Sequence, residues 1–212
     1  QKYFIQGGDL GSFIASIMAV NVPKEIMGIH LNLLPLPRGL NKKPDNSEEE
    51  SYYEDLKYFM KYETGYQHLQ GTKPFTLAHA LNASPVALCA YISEKFYTWT
   101  DNGGKLFNTI DIDAMLANIT LYWISGCIGA SFWPYYIRHS SEWPIDINNP
   151  IMVPMGYSEF PKEIFSPPVS LASQFYKNIS FWKKHSSGGH FAAMEKPKEL
   201  ALDINKFIKD VI

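Results

Sequence analysis

Asp9 lies in a short segment of mostly small residues, Gly7–Gly11, between a predicted β-strand and a predicted helix. The preceding residues, Gln1–Gln6, have the pattern of a β-strand, and the apolar run that ends before Pro23 has that of a helix. Small residues two positions on either side of Asp9 permit a cramped backbone that pushes the carboxylate out of the turn. The alternative is that Asp9 only caps the helix. The segment therefore predicts either a nucleophile on a sharp strand-to-helix turn or a helix cap.

An alternation of strands and helices is interrupted by a long helical block. Ile26–Leu31 is nearly all apolar, which predicts a buried strand of a parallel sheet. Further strands are predicted at Ile151–Met155 and Ile179–Trp182, followed by a closing helix. This order predicts an α/β sheet with an inserted helical lid. We expect residues 1–34 and 146–212 to form the core and residues 35–145 to form the lid.

Three helices are predicted inside the block from their caps and apolar periodicity. They are Glu48–Tyr62, a helix that follows the N-cap Ser84 and ends near Trp99, and a helix capped by Asp111. The uncharged stretch Ala114–Ile137 is long enough to span a bilayer. Its Asn, Thr, Ser, Gly and Pro residues favour a buried helix or a pocket wall instead.

The composition excludes several classes of protein. The chain has 212 residues, of which 46% are hydrophobic, so it can bury a core without disulfides or metals. Its net charge is −2, so we expect no nucleic-acid partner. Cys89 and Cys127 lack the spacing of metal ligands. We expect neither a metal nor an organic cofactor.

One histidine, His190, lies in the glycine-containing loop Ser187–Phe191 between the last predicted strand and the last helix. A loop at this place suits a general base. Glu159 and Glu163 come earlier in the chain, and either can accept the ring N–H and fix the tautomer of the histidine. The order nucleophile, acid, histidine predicts a catalytic triad. The alternative for His190 is an ordinary surface histidine.

A carboxylate nucleophile restricts the substrate more than a serine does. Attack on a carbonyl gives a labile anhydride, whereas attack on a saturated carbon gives an ester that water can hydrolyse. Epoxides and alkyl halides both fit. An epoxide leaves as an alkoxide that must be protonated by an acid such as tyrosine, whereas a halide needs only N–H donors. The predicted lid is rich in tyrosine.

Six segments carry a specific likeness that covers nearly the whole chain. They are Tyr3–Ser12, Gly65–Pro74, Ala80–Thr100, Leu121–Gly126, Phe160–Glu163 and Gly188–Pro197. Together they resemble the epoxide hydrolases of the microsomal and juvenile-hormone type, which have the α/β-hydrolase fold. The resemblance implies the C-terminal portion of such an enzyme, with Asp9 as nucleophile, His190 as base and Glu163, rather than Glu159, as the acid.

The resemblance also implies which groups bind the epoxide oxygen and the oxyanion. Tyr66 and Tyr135 are implied as the two tyrosines that activate the epoxide, with Tyr136 as the competing choice for the second. Leu10 stands where the family usually has tryptophan, and its backbone N–H is implied as an oxyanion donor. The family's other donor comes from an upstream His-Gly-x-Pro loop, which these 212 residues do not contain. We expect activity to depend on that loop.

The expected activity is hydrolysis of a hydrophobic epoxide to a vicinal diol through an aspartyl ester. The expected partners are the epoxide and water, with membrane contact only through an upstream segment. A cytoplasmic location is slightly preferred over a membrane-associated one. Two alternatives stay open: a haloalkane dehalogenase with the same triad, and a non-catalytic carrier of apolar ligands built on this fold.

Overall fold

A computed structural model of the protein describes residues 2–37, 43–141 and 143–212. It contains a parallel four-stranded sheet in the order β1-β2-β3-β4. The strands are β1 (Tyr3–Gly7), β2 (Ile26–Leu31), β3 (Met155–Glu159) and β4 (Ile179–Lys184). Because all four strands run the same way, their carboxyl ends lie at one edge of the sheet.

Helices lie between successive strands and after the last strand, in the predicted alternating order. Those in the described part of the chain are α1 (Leu10–Asn21), α2 (Ser47–Tyr62), α3 (Gly65–Thr72), α4 (Pro74–Ala83), α5 (Pro85–Trp99), α6 (Ile112–Ser125), α7 (Ile128–Ser131), α8 (Trp133–Ser140), α9 (Val169–Ala172), α10 (Ala192–Glu195) and α11 (Pro197–Val211). The predicted caps are present. Ser84 Oγ accepts the N–H of Ala87 at 3.2 Å, and Asp111 Oδ1 accepts that of Ala114 at 2.8 Å.

The chain divides into two compact units. The sheet unit comprises Gln1–Lys57 and Trp143–Ile212, and the helical unit comprises Tyr58–Glu142. The first of these boundaries falls inside α2. Gln1, the start of the first predicted strand, lies outside the described residues. The expected lid, residues 35–145, stays a prediction.

The two faces of β2 meet different helices, because side chains alternate along a strand. Ile29 and Leu31 are fully buried in a core that includes Ala15 and Ala19 of α1. On the opposite face, a Cβ added to Gly28 would lie 2.8 Å from Cζ of Phe207, a fully buried residue of α11. The absence of a side chain at position 28 therefore lets α11 pack closely on the sheet.

One predicted strand is placed wrongly. A strand is predicted at Ile151–Met155, but the observed strand β3 begins only at Met155. Ile151 forms an isolated bridge with Tyr176. Pro154 has no N–H to donate, and it contributes only its carbonyl, which accepts the N–H of Ile29 at 2.9 Å. Glu159 is consequently the last residue of β3 rather than part of the loop that follows it.

The uncharged stretch Ala114–Ile137 is not one helix. Gly126, with φ of 62°, ends α6 in the left-handed conformation, and α7 and α8 follow. Among the described residues, no single helix is long and apolar enough to cross a membrane. Two sharply bent helix pairs, α4 with α5 and α6 with Ile128–Ser140, reach that length and composition only when each pair is taken together.

Candidate active site

The loops that follow three strands bring a carboxylate, an imidazole and a second carboxylate together in the sheet unit. Asp9 follows β1, Glu163 follows β3, and His190 follows β4. Residues far apart in sequence meet here because the carboxyl ends of parallel strands share one edge.

Asp9 occupies a turn whose backbone is strained. Its φ of 43° and ψ of −126° make it the one non-glycine residue with positive φ in the described part of the chain. Such a conformation typically costs about 1–3 kcal/mol and is found where the surrounding structure enforces it. A Cβ added to Gly7 would clash with the carbonyl of Gly11, whereas one added to Gly11 would meet nothing within 4 Å. Of the two small residues that flank Asp9, the structure therefore requires the absence of a side chain only at Gly7.

The turn is held by two polar residues that the sequence analysis missed. The Ser12 hydroxyl donates to the Gly7 carbonyl at 2.8 Å, and the Asn32 N–H donates to the same carbonyl at 3.2 Å. The Asn32 side chain also accepts from Nε2 of Gln6 at 2.9 Å. Asn32 directly follows β2, and a polar residue at the carboxyl end of a buried strand is the signal that could have revealed it.

His190 lies between two carboxylates. Its Nδ1 is 2.6 Å from Oε1 of Glu163, and its Nε2 is 3.6 Å from Oδ2 of Asp9. The side chains of His190 and Glu163 are almost completely buried, whereas that of Asp9 is 49% exposed. Asp9 is therefore the member of the group that an incoming molecule can reach.

Glu159, the alternative acid, is engaged elsewhere. Its Oε2 accepts the indole N–H of Trp182 at 2.9 Å, and its Oε1 lies 3.7 Å from the ammonium of Lys184. Glu163, in contrast, accepts the N–H of Ile164 at 2.8 Å with the same oxygen that contacts His190. The geometry thus pairs the imidazole with Glu163.

The charge of the site favours a protonated imidazole. Burial lowers the pKa of His190, but the neighbouring carboxylates of Glu163 and Asp9 outweigh it and raise that pKa from 6.5 to about 10. The two carboxylates that flank the ring therefore favour its protonated form.

Leu10 is the first residue of α1. The N–H groups of a helix's first turn have no acceptor within the helix and lie at the positive end of the helix dipole. The backbone N–H of Leu10 can therefore stabilise negative charge that develops next to Asp9.

Tyr66 and Tyr135 are brought together within the helical unit. Tyr66 lies on α3 and Tyr135 on α8, and their ring centroids are 5.7 Å apart in an edge-to-face arrangement. The Tyr136 ring instead lies against Trp133 at 5.7 Å. The ammonium of Lys95 lies 4.9 Å from the Tyr66 ring centroid, a contact that sequence reasoning missed.

Metal-ligating residues do not cluster in the described ranges, since no group of three or more His, Cys, Asp or Glu residues there could hold an ion.

Comparisons with known proteins extend over almost the entire chain. Epoxide hydrolase 1 of Oryctolagus cuniculus is 35% identical over 98% of this chain and 51% of its own length. The crystal structure of juvenile hormone epoxide hydrolase from Bombyx mori aligns with a TM-score of 0.88 at 30% identity, over 99% of this chain and 55% of that one. The structure of Aspergillus niger epoxide hydrolase aligns with a TM-score of 0.83 at 28% identity, over 100% of this chain and 53% of that one. No family model matches.

The parallel sheet, the strained turn after β1 and these structural likenesses define an α/β-hydrolase fold, as predicted. Within that class, the chain is similar over almost its whole length to proteins named epoxide hydrolase 1 and juvenile hormone epoxide hydrolase, which confirms the resemblance drawn from its motifs. It spans about half the length of the curated relatives it matches.

Proposed function

We propose that the protein hydrolyses epoxides to vicinal diols in two covalent steps. The observation that carries the proposal is the buried Glu163–His190 pair facing a half-exposed Asp9 on a strained turn. The similarity to named epoxide hydrolases supports this activity over halide displacement or ligand carriage.

In the first step an Asp9 oxygen attacks a ring carbon of the epoxide. A C–O ester bond forms while the ring C–O bond breaks, and the leaving alkoxide takes a proton. We assign that proton to the hydroxyls of Tyr66 and Tyr135. This assignment rests on the family resemblance and on the pairing of the two rings.

In the second step His190, held by Glu163, takes a proton from water as the water oxygen attacks the ester carbonyl of Asp9. The N–H of Leu10 stabilises the resulting oxyanion. Collapse of this intermediate breaks the acyl C–O bond, and the diol oxygen takes the proton back from His190. The remaining water proton, now on the Asp9 carboxyl group, returns to the tyrosinate left by the first step, so that the carboxylate and the phenol are both regenerated.

The proposed substrate is a small hydrophobic epoxide, and water is the second reactant. We further propose a cytoplasmic location.

Trapping the ester tests the proposal. In His190→Gln, the second step should stop, so incubation with styrene oxide should raise the intact mass by the mass of one epoxide. The matched control is the double variant Asp9→Ala/His190→Gln, which should gain nothing. An unmodified His190→Gln protein, or an adduct that maps to another residue, would contradict the mechanism.

Isotope labelling gives an independent check. In a single turnover of the unmodified protein in H2¹⁸O, the label should enter the Asp9 carboxylate and not the diol. Label in the diol of the first turnover would mean that water attacks the epoxide directly.

A further inference from the structure

A buried polar cluster lies in the sheet unit beside the proposed catalytic group. Asp203 of α11, only 2% exposed, is its centre. Oδ2 of Asp203 lies 2.6 Å from Nε2 of His185 and 2.8 Å from the hydroxyl of Ser158, and Oδ1 lies 2.7 Å from the ammonium of Lys183. Burial raises the pKa of Asp203, but these partners outweigh it and hold that pKa below its usual value. Asp203 is therefore a fixed anion that anchors His185.

The anchored His185 in turn contacts a fully buried aromatic residue, Phe160. Its ring stacks on that of Phe160, with centroids 4.5 Å apart and planes 5° from parallel. Its backbone N–H donates to the carbonyl of Glu159 at 2.8 Å. Phe160 also packs against Ala192 and Leu200, so its ring position is defined on several sides.

Phe160 touches the loop that carries His190. A Cβ added to Gly188, whose φ is 108°, would lie 2.7 Å from Cδ1 of Phe160, so the loop backbone lies directly on the ring. The N–H of Lys162 donates to the carbonyl of Gly188 at 3.0 Å, and the N–H of Glu163 donates to that of Phe160 at 3.1 Å. Phe160 therefore contacts the histidine loop and belongs to the turn that carries the acid.

We infer that Asp203 and His185 are positioning residues that hold Phe160, and through it the 2.6 Å contact between Glu163 and His190. Neither residue takes part in a bond change. The inference rests on the proposed function, and it predicts which of the two steps depends on the cluster. The turn that carries Asp9 is held by the hydrogen bond from the Ser12 hydroxyl to the Gly7 carbonyl, which does not involve the cluster, so ester formation should not depend on His185.

The test compares His185→Ala with Lys183→Met. Both remove a partner of Asp203, but only His185 contacts Phe160. In single-turnover measurements with styrene oxide, His185→Ala should slow ester hydrolysis about tenfold or more and leave ester formation within about twofold, because small misplacements of a base are costly. Lys183→Met should change neither step. Equal slowing of both steps, or unchanged ester hydrolysis, in His185→Ala would overturn the inference.

A spectroscopic measurement separates this inference from the proposed activity. The Nδ1 proton of His190, in its short contact with Glu163, should give a downfield proton resonance in the unmodified protein. His185→Ala should shift or broaden it, and Lys183→Met should keep it. If His190→Gln traps no ester, the proposed function fails, while this resonance still decides the positioning role. An unshifted resonance in His185→Ala would reject that role.

Thermal unfolding first establishes that each variant folds. If His185→Ala does not, His185→Phe takes its place, since it keeps a ring against Phe160 and removes only the contact with Asp203. A smaller loss confined to ester hydrolysis is expected, because the ring contact with Phe160 stays while the contact with Asp203 is removed, and its absence counts against the inference.

Discussion

The backbone conformation of Asp9 affects both the stability of the fold and the chemistry of the candidate active site. A residue with a side chain at φ of 43° and ψ of −126° is strained, whereas glycine adopts positive φ readily. The protein keeps a carboxylate there, directly before α1 and 3.6 Å from Nε2 of His190.

Replacing Asp9 by glycine should stabilise the fold relative to Asp9→Ala. Both changes remove the carboxylate, so their difference isolates the backbone strain, which we expect to be about 1–2 kcal/mol in favour of glycine. Urea unfolding measures the free energy of unfolding of the two variants. Equal stabilities would show that the turn is not strained, and neither variant should form the ester.

The two glycines that flank the turn should respond differently to a methyl group. Gly7→Ala forces a clash with the carbonyl of Gly11 and should cost about 1–3 kcal/mol of unfolding free energy. Gly11→Ala has open space and should be neutral or slightly stabilising, since alanine is the better helix former. Thermal melts of both variants measure this difference, and a Gly11→Ala variant that is as unstable as Gly7→Ala would contradict it.

Helices and strands show what the sequence could and could not predict. β2 matches its predicted bounds, and α1 ends where expected, because apolar runs, caps and Pro23 are local signals. The start of β3 was misplaced because an apolar run does not reveal which of its residues finds a paired neighbour. Asp9 was visible because its turn is encoded in five adjacent residues, whereas Asp203 acquires its role only through contacts made by folding.

The packing of α3 on α8 determines which tyrosines can act together. Because the ring of Tyr66 lies against that of Tyr135 and not that of Tyr136, Tyr66→Phe and Tyr135→Phe should each slow ester formation about tenfold or more. The double variant should nearly abolish ester formation. Rapid-mixing kinetics with styrene oxide measure this step. Tyr136→Phe is the matched control and should stay within about twofold of the parent; a larger loss there than in Tyr135→Phe would reassign the second tyrosine.

Over the whole molecule, two buried histidines should set limits to the pH range of stability. The pKa of His190 is raised to about 10, so its contribution is complete below pH 6.5 and is lost as pH rises toward 10. His30 behaves oppositely: burial, partly opposed by Asp203, lowers its pKa to about 4, so stability falls as pH drops from 6.5 toward 4. We expect the greatest stability near pH 6.5.

Unfolding free energies measured from pH 4 to pH 10 check this expectation. His190→Gln should lose the part of the alkaline decline that begins above pH 6.5 and keep the acid decline, because glutamine does not titrate. His30→Gln should do the reverse. An alkaline decline in His190→Gln that is as steep as in the parent would show that His190 is not the group responsible.

The pairing of one imidazole with two carboxylates has a consequence for the timing of the reaction. The Asp9 carboxylate is one of the groups that raise the pKa of His190. Alkylation of Asp9 cancels that charge and leaves Glu163 as the one carboxylate in contact, which lowers the proton affinity of the imidazole. In the proposed mechanism, formation of the ester would thus favour the neutral imidazole that the second step needs, through a change of charge alone.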